Sequence, residues 1–121
     1  MPRPVSVIQI HGTADLNIPI TGGVGQESTV GIDVPPPHDA ATALAAADGC
    51  AAPMTSAAGD ITTESSSACA DGSAVEFVTI EGAHHPWPGG TPVVTPSVGP
   101  GYAGYDATAA VVAFLLAHPR P

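Results

Sequence analysis

The chain has 121 residues, room for one domain and on the small side for an open α/β sheet with helices on both faces. Charged residues make up 11% of it against roughly 25% in an average soluble domain, and 14 Gly with 14 Pro predict a fold rich in loops. Arg3 and Arg120 are the only Lys or Arg residues and the net charge is −9, which argues against nucleic acid, whose phosphates need a basic patch, and against anionic lipid surfaces.

Met1-Pro2-Arg3-Pro4 leads directly into a strand-like run without an apolar segment and a small-residue cleavage site, so no signal peptide is expected in this chain. Val5 to Ile10 is β-branched and almost continuously apolar, the pattern of a strand covered on both faces, and it ends at His11-Gly12. From Thr13 to Pro37 neither a helical nor a strand period is present, and the Gly and Pro content predicts a long surface loop. Asp39 is placed to cap an Ala-rich helix running to about Asp48, with Gly49 in the C′ position. Ala51 to Gly72 is small and polar and reads by itself as a disordered linker.

Val75 to Ile80 is a second strand, with Val75, Phe77 and Thr79 on one face and Glu76, Val78 and Ile80 on the other. It runs into Gly82-Ala83-His84-His85-Pro86-Trp87-Pro88-Gly89. After a Gly/Pro-rich connection to Tyr105, Asp106 is expected to cap a last helix with Val111, Phe114 and Leu115 at i, i+3 and i+4. The apolar run from Ala107 to Ala117 is too short to cross a bilayer. Strands alternating with helices predict an α/β unit with parallel strands, a single unit over residues 1–121 without internal repeats.

Two polar clusters follow the ends of the two strands, where open α/β sheets place their ligands: His11-Gly12-Thr13-Ala14-Asp15 and Gly82-Ala83-His84-His85. An imidazole acting as general base needs a carboxylate on its other ring nitrogen, and neighbouring parallel strands can bring an Asp and a His from these loops together. Taken without any family, loop caps and turn formers are the competing reading of both residues. A metal site from His11, Asp15, His84 and His85 is disfavoured, since adjacent histidines rarely reach one ion and no H-E-x-x-H or H-x-H pattern occurs. Cys50 and Cys69 are not in a C-x-x-C arrangement, which leaves no zinc knuckle or thioredoxin-type motif.

Ile8-Gln9-Ile10-His11-Gly12-Thr13-Ala14-Asp15, followed by Ile18-Pro19, resembles the acid loop of α/β-hydrolase esterases of the polyhydroxybutyrate depolymerase and feruloyl esterase group, whose pattern is close to H-G-T-x-D-x-x-V-P. Gly82-Ala83-His84-His85-Pro86-Trp87-Pro88-Gly89 resembles that group's histidine loop, usually G-G-G-H-x-W-P-G. The stretch from Asp106 through Phe114-Leu115 to His118-Pro119 resembles its last helix. The resemblance implies Asp15 as triad acid, His85 as triad base and Trp87 as a wall of the substrate pocket, with His11 structural and no cofactor. His84 stands where the group has glycine, a change expected to crowd the loop or force an unusual backbone angle. The even cysteine count and the resemblance together point to a Cys50–Cys69 disulfide, against two reduced, buried cysteines as the alternative. Such a bridge would contribute about 3 kcal/mol and place the chain in an oxidising compartment, secreted or periplasmic.

The group's nucleophile, a Ser in G-x-S-x-G upstream of the acid, is missing: Ser28, Ser56, Ser73 and Ser97 all lack the flanking glycines. The expectation is therefore a partial α/β-hydrolase fold, the C-terminal strands and helices of a parallel sheet without the nucleophile half. Two functions follow. One is a serine-type carboxylic-ester hydrolase acting on an ester or polyester; the other is a noncatalytic fragment or assembly module that pairs with a missing N-terminal half or with itself.

Overall fold

The structure is a computed structural model that describes residues 3–91 and 95–119; Met1 and Arg120 lie outside them. Among the described residues the elements run β1 (Val7–Gly12), α1 (Pro37–Ala47), β2 (Met54–Ala58), β3 (Ile61–Ser66), β4 (Val75–Ile80) and α2 (Ala107–Ala117), with a 3₁₀ turn at Ala70–Gly72. The four strands form one sheet in the order β1-β4-β3-β2.

β1 pairs with β4 in parallel, Val7 opposite Val75 and Gly12 opposite Ile80. This is the parallel pairing expected of the two apolar strands. The other two pairs, β4 with β3 and β3 with β2, are antiparallel. The sheet is thus mixed, and the expectation of a partial α/β-hydrolase fold with a parallel sheet is corrected. The cause is local: Gly59-Asp60 joins β2 to β3 in two residues, and a connection that short can only link antiparallel strands, whereas parallel neighbours need a crossover of a dozen or more.

That hairpin occupies the stretch that reads as a linker. Every residue of β2 is exposed, so it carries no apolar alternation to betray a strand. β3 is held between two partners and draws on the β-branched Ile61, Thr62 and Thr63. A Cys50–Cys69 disulfide, 19 residues apart in sequence, ties the entry of the hairpin to its exit. The bridge fits an extracellular or periplasmic location, and among the described residues no helix is long and apolar enough to cross a membrane.

α1 begins three residues earlier than a cap at Asp39 implies. Pro36 is the N-cap and Pro37 opens the first turn, where a missing N–H costs nothing, while Asp39 lies within that turn and caps no N–H. The other end closes as a Schellman motif: Gly49 N–H donates to Ala46 O and Cys50 N–H to Ala45 O. The helix packs on β4 and β1, with Ala41 against Val75 and Phe77. The long loop before it is held by a β-bridge between Gly23 and Val34 and by further backbone hydrogen bonds such as Glu27 N–H to Leu16 O.

α2 is capped as expected, Asp106 Oδ1 accepting from Ala109 N–H at 2.9 Å. Its expected apolar stripe is only partly used. Ala107 and Phe114 are buried, whereas Val112, Leu115 and Leu116 face solvent.

Candidate active site

The parallel β1–β4 pair sets the site. His11 is level with Thr79 and Gly12 with Ile80, so the chain leaves both strands at the same height and in the same direction. Pairing continues past the strand ends: Thr13 N–H donates to Ile80 O, Ala14 N–H to Ala83 O, and Gly82 N–H to the Thr13 hydroxyl at 2.9 Å. The loops are in close contact at Gly12, where a Cβ would stand 2.1 Å from Ala83 O. Any larger residue there would wedge the loops apart.

Asp15 is buried, 5% exposed. Its Oδ1 accepts two backbone N–H groups of its own loop, from Asn17 at 2.8 Å and Ile18 at 2.9 Å, an Asx-type turn that fixes the carboxylate plane. Oδ2 then points at His85 Nδ1, 2.8 Å away. A carboxylate only accepts, so Nδ1 carries the proton and donates, and Nε2 of the neutral ring is left with its lone pair. His85 is more open than its partner, with 39% of the side chain exposed, and this lets Nε2 reach a solute.

The structure thus joins Asp15 and His85 across 70 residues of sequence. His11 Nε2 lies 2.7 Å from Ile18 O and 3.6 Å from Asp15 Oδ2. The short contact is to an acceptor, so His11 donates to the carbonyl and braces the acid loop. Trp87 lines the same small cavity, about 140 Å³, together with Ile10, Gly12 and His84. Its indole N–H donates to Thr108 Oγ1 at 2.9 Å, which anchors the ring to the first turn of α2.

His84 introduces no backbone strain: among the described residues, positive φ values at non-glycine positions occur only at Ala68 and Asp71. Room for its ring comes from Gly99, where a Cβ would lie 2.8 Å from His84 Nδ1. The residue after it is fixed from the same segment, His85 N–H donating to Val98 O at 3.0 Å. Thr108, Val98 and Gly99 support the site without any motif marking them. They lie 13 or more positions downstream of His85, and only Thr108, next to a capped helix start, has a sequence context at all.

The described residues offer no hydroxyl hydrogen-bonded to His85 Nε2, and both cysteines are in the disulfide. Nor do they contain a group of three or more His, Cys, Asp or Glu side chains placed to hold a metal ion. What the arrangement can do is take up and return a proton at Nε2, with Asp15 holding the ring and stabilising the imidazolium. No family model, curated protein or solved structure matches the chain.

Proposed function

We propose that the chain is the acid–base element of a carboxylic-ester hydrolase. The observation that carries this is the 2.8 Å contact from buried Asp15 Oδ2 to His85 Nδ1, with Oδ1 held by two backbone N–H groups. His85 Nε2 accepts the proton of an attacking O–H as its oxygen bonds to the ester carbonyl carbon. When the tetrahedral intermediate collapses, the imidazolium returns that proton to the departing alkoxide, releasing acid and alcohol. Within these residues the attacking group is water; a serine, as in the polyester and feruloyl esterases whose two motifs the chain resembles, would have to come from outside these 121 residues. The disulfide and the acidic composition support a secreted setting, where polymeric esters are met. The reading rests on the two loops, which the parallel β1–β4 pair sets side by side, and not on a hydrolase-type sheet.

The test is hydrolysis of p-nitrophenyl acetate by the purified chain. Turnover should fall by about 10²-fold or more in His85→Ala and in Asp15→Asn, within the range of general-base catalysis. A fluorophosphonate should leave the intact mass unchanged, since no activated serine is present. Equal rates in all three proteins would reject the reading. They would favour the second one, a noncatalytic assembly module, for which the bare Nε2 and the open edge of β1 speak.

A further inference from the structure

α1 covers its sheet with alanines. Ala41, Ala45 and Ala46 extend one carbon each toward β3 and β4, and a cavity of about 210 Å³ remains beneath the helix, with Val75 and Phe77 on its walls and Cys50 of the disulfide at its margin. This space lies on the face of Val75 and Phe77, toward the opposite end of β4 from His85. Its polar groups are few. Glu64 and Ser66 project from the same face of β3, opposite Phe77 and Val75, and Thr42 comes from the helix.

Each polar group is left with something to offer. Glu64 Oε2 accepts from His38 Nε2–H at 2.8 Å, and His38 is seated edge-on to Phe77 with ring centroids 5.2 Å apart. The carboxylate is thereby fixed, while Oε1 takes no donor among the described residues. Thr42 spends its proton on His38 O at 3.1 Å, leaving oxygen lone pairs. Ser66 is 5% exposed and lines the cavity; no buried side-chain oxygen among the described residues lacks a partner, so a Ser66 hydroxyl without a protein partner reaches the open space, where a ligand can bond it. No Lys or Arg lines the cavity, so nothing there would neutralise a carboxylate or phosphate.

We propose that this cavity is a binding site for a small amine, whose ammonium group meets Glu64 Oε1 and Ser66 Oγ while its apolar body lies on Phe77 and Val75. The space is open to solvent on one side, and its volume of about 210 Å³ has room for a body of about eight non-hydrogen atoms, benzene fitting in about 150 Å³. Charge complementarity selects the amine over its neutral and anionic isosteres, because a charge-assisted hydrogen bond to a fixed, half-buried carboxylate is stronger than a neutral one. The site is separate from the Asp15–His85 pair, and the inference stands or falls independently of ester hydrolysis.

The experiment is a titration of the full ¹⁵N-labelled chain with benzylamine, benzyl alcohol and benzoate, followed by amide shifts. Benzylamine should move the amides of Glu64, Ser66 and Phe77 and bind about ten-fold or more tightly than benzyl alcohol, with no binding of benzoate. Glu64→Gln should erase the preference for the amine, and Ala45→Leu, which fills the space from the helix side, should abolish binding of both. Should the leucine variant fail to fold, the Glu64→Gln result decides alone. Equal binding of amine and alcohol, shifts scattered away from the cavity, a preference that survives Glu64→Gln, or no binding at all would each overturn the proposal.

Discussion

A carboxylate removed from water costs several kcal/mol unless its oxygens are partnered, and Asp15 meets that condition with two amides on Oδ1 and an imidazole N–H on Oδ2. The amides come from its own loop, so the orientation of the acid does not depend on the histidine loop. Elsewhere the backbone carries a visible strain: Ala68, just before Cys69, and Asp71, inside the 3₁₀ turn, hold φ of 52° and 54°. Asp tolerates this conformation through its short polar side chain, whereas Ala does not. Ala68→Gly should therefore raise stability by about 0.5–1 kcal/mol in urea unfolding, the relief of the left-handed conformation exceeding the added freedom of the unfolded chain. At this scale Asp15 and His85 were legible because each sits in a short motif just past a strand. Thr108, Val98 and His38 with Glu64 were not, since their partners are fixed by tertiary packing and leave no local pattern.

Among the elements, both apolar strands and both helices could be read from composition, with the Asp106 cap and Gly49 at C′ read correctly and the Asp39 cap not, and the β2–β3 hairpin could not be read. Its signals were a Gly-Asp pair and a few threonines in a run that is otherwise small and polar, and its outer strand buries nothing. The hairpin turn is nevertheless fastened to the loop before α2, Tyr102 Oη donating to Asp60 Oδ2 at 2.8 Å. That hydrogen bond, a little burial and the like charge of the carboxylate hold the Tyr102 hydroxyl above its ordinary pKa of 10.0. The group is protonated in the fold at a pH where the unfolded chain begins to ionise, so the tether is fully present below about pH 10 and is lost as pH rises through the raised value. In a spectrophotometric titration Tyr102 should ionise later in the native chain than in Asp60→Asn, which removes both the acceptor and its charge. Tyr105 is raised too, by burial first and then by Glu76, and should not respond to that substitution.

For the molecule as a whole, apolar surface is poorly hidden. Buried hydrophobic residues are few and small apart from Phe77, Phe114, Val75, Val78 and Ile80, while Leu116 is 78% exposed beside Leu115 and Val112 on α2. β1 is an edge strand of the sheet, half-buried along most of its length. Against this stands a net charge of −9 that repels a second copy. The two effects separate by ionic strength, because salt screens the repulsion and leaves apolar burial intact. Sedimentation should show weak self-association that grows with salt, and Leu116→Glu should keep the chain monomeric at every salt concentration. Composition made the loop-rich, acidic character legible, and the Gly/Pro count held for the long segment before α1. The mixed sheet was not legible, because strand direction depends on how β2 and β3 pair, and no local periodicity encodes that.

Asp15 locks His85 as the Nδ1–H tautomer, leaving Nε2 bare in a residue that lines the small cavity. Long-range ¹H–¹⁵N correlation of the histidine rings, recorded on the neutral form in the wild type and in Asp15→Asn, measures this directly. The account predicts a protonated Nδ1 and an unprotonated Nε2 for His85 in the wild type, and loss of that preference in the variant. A wild-type His85 found as the Nε2–H tautomer, or one whose ring is unaffected by Asp15→Asn, would contradict it.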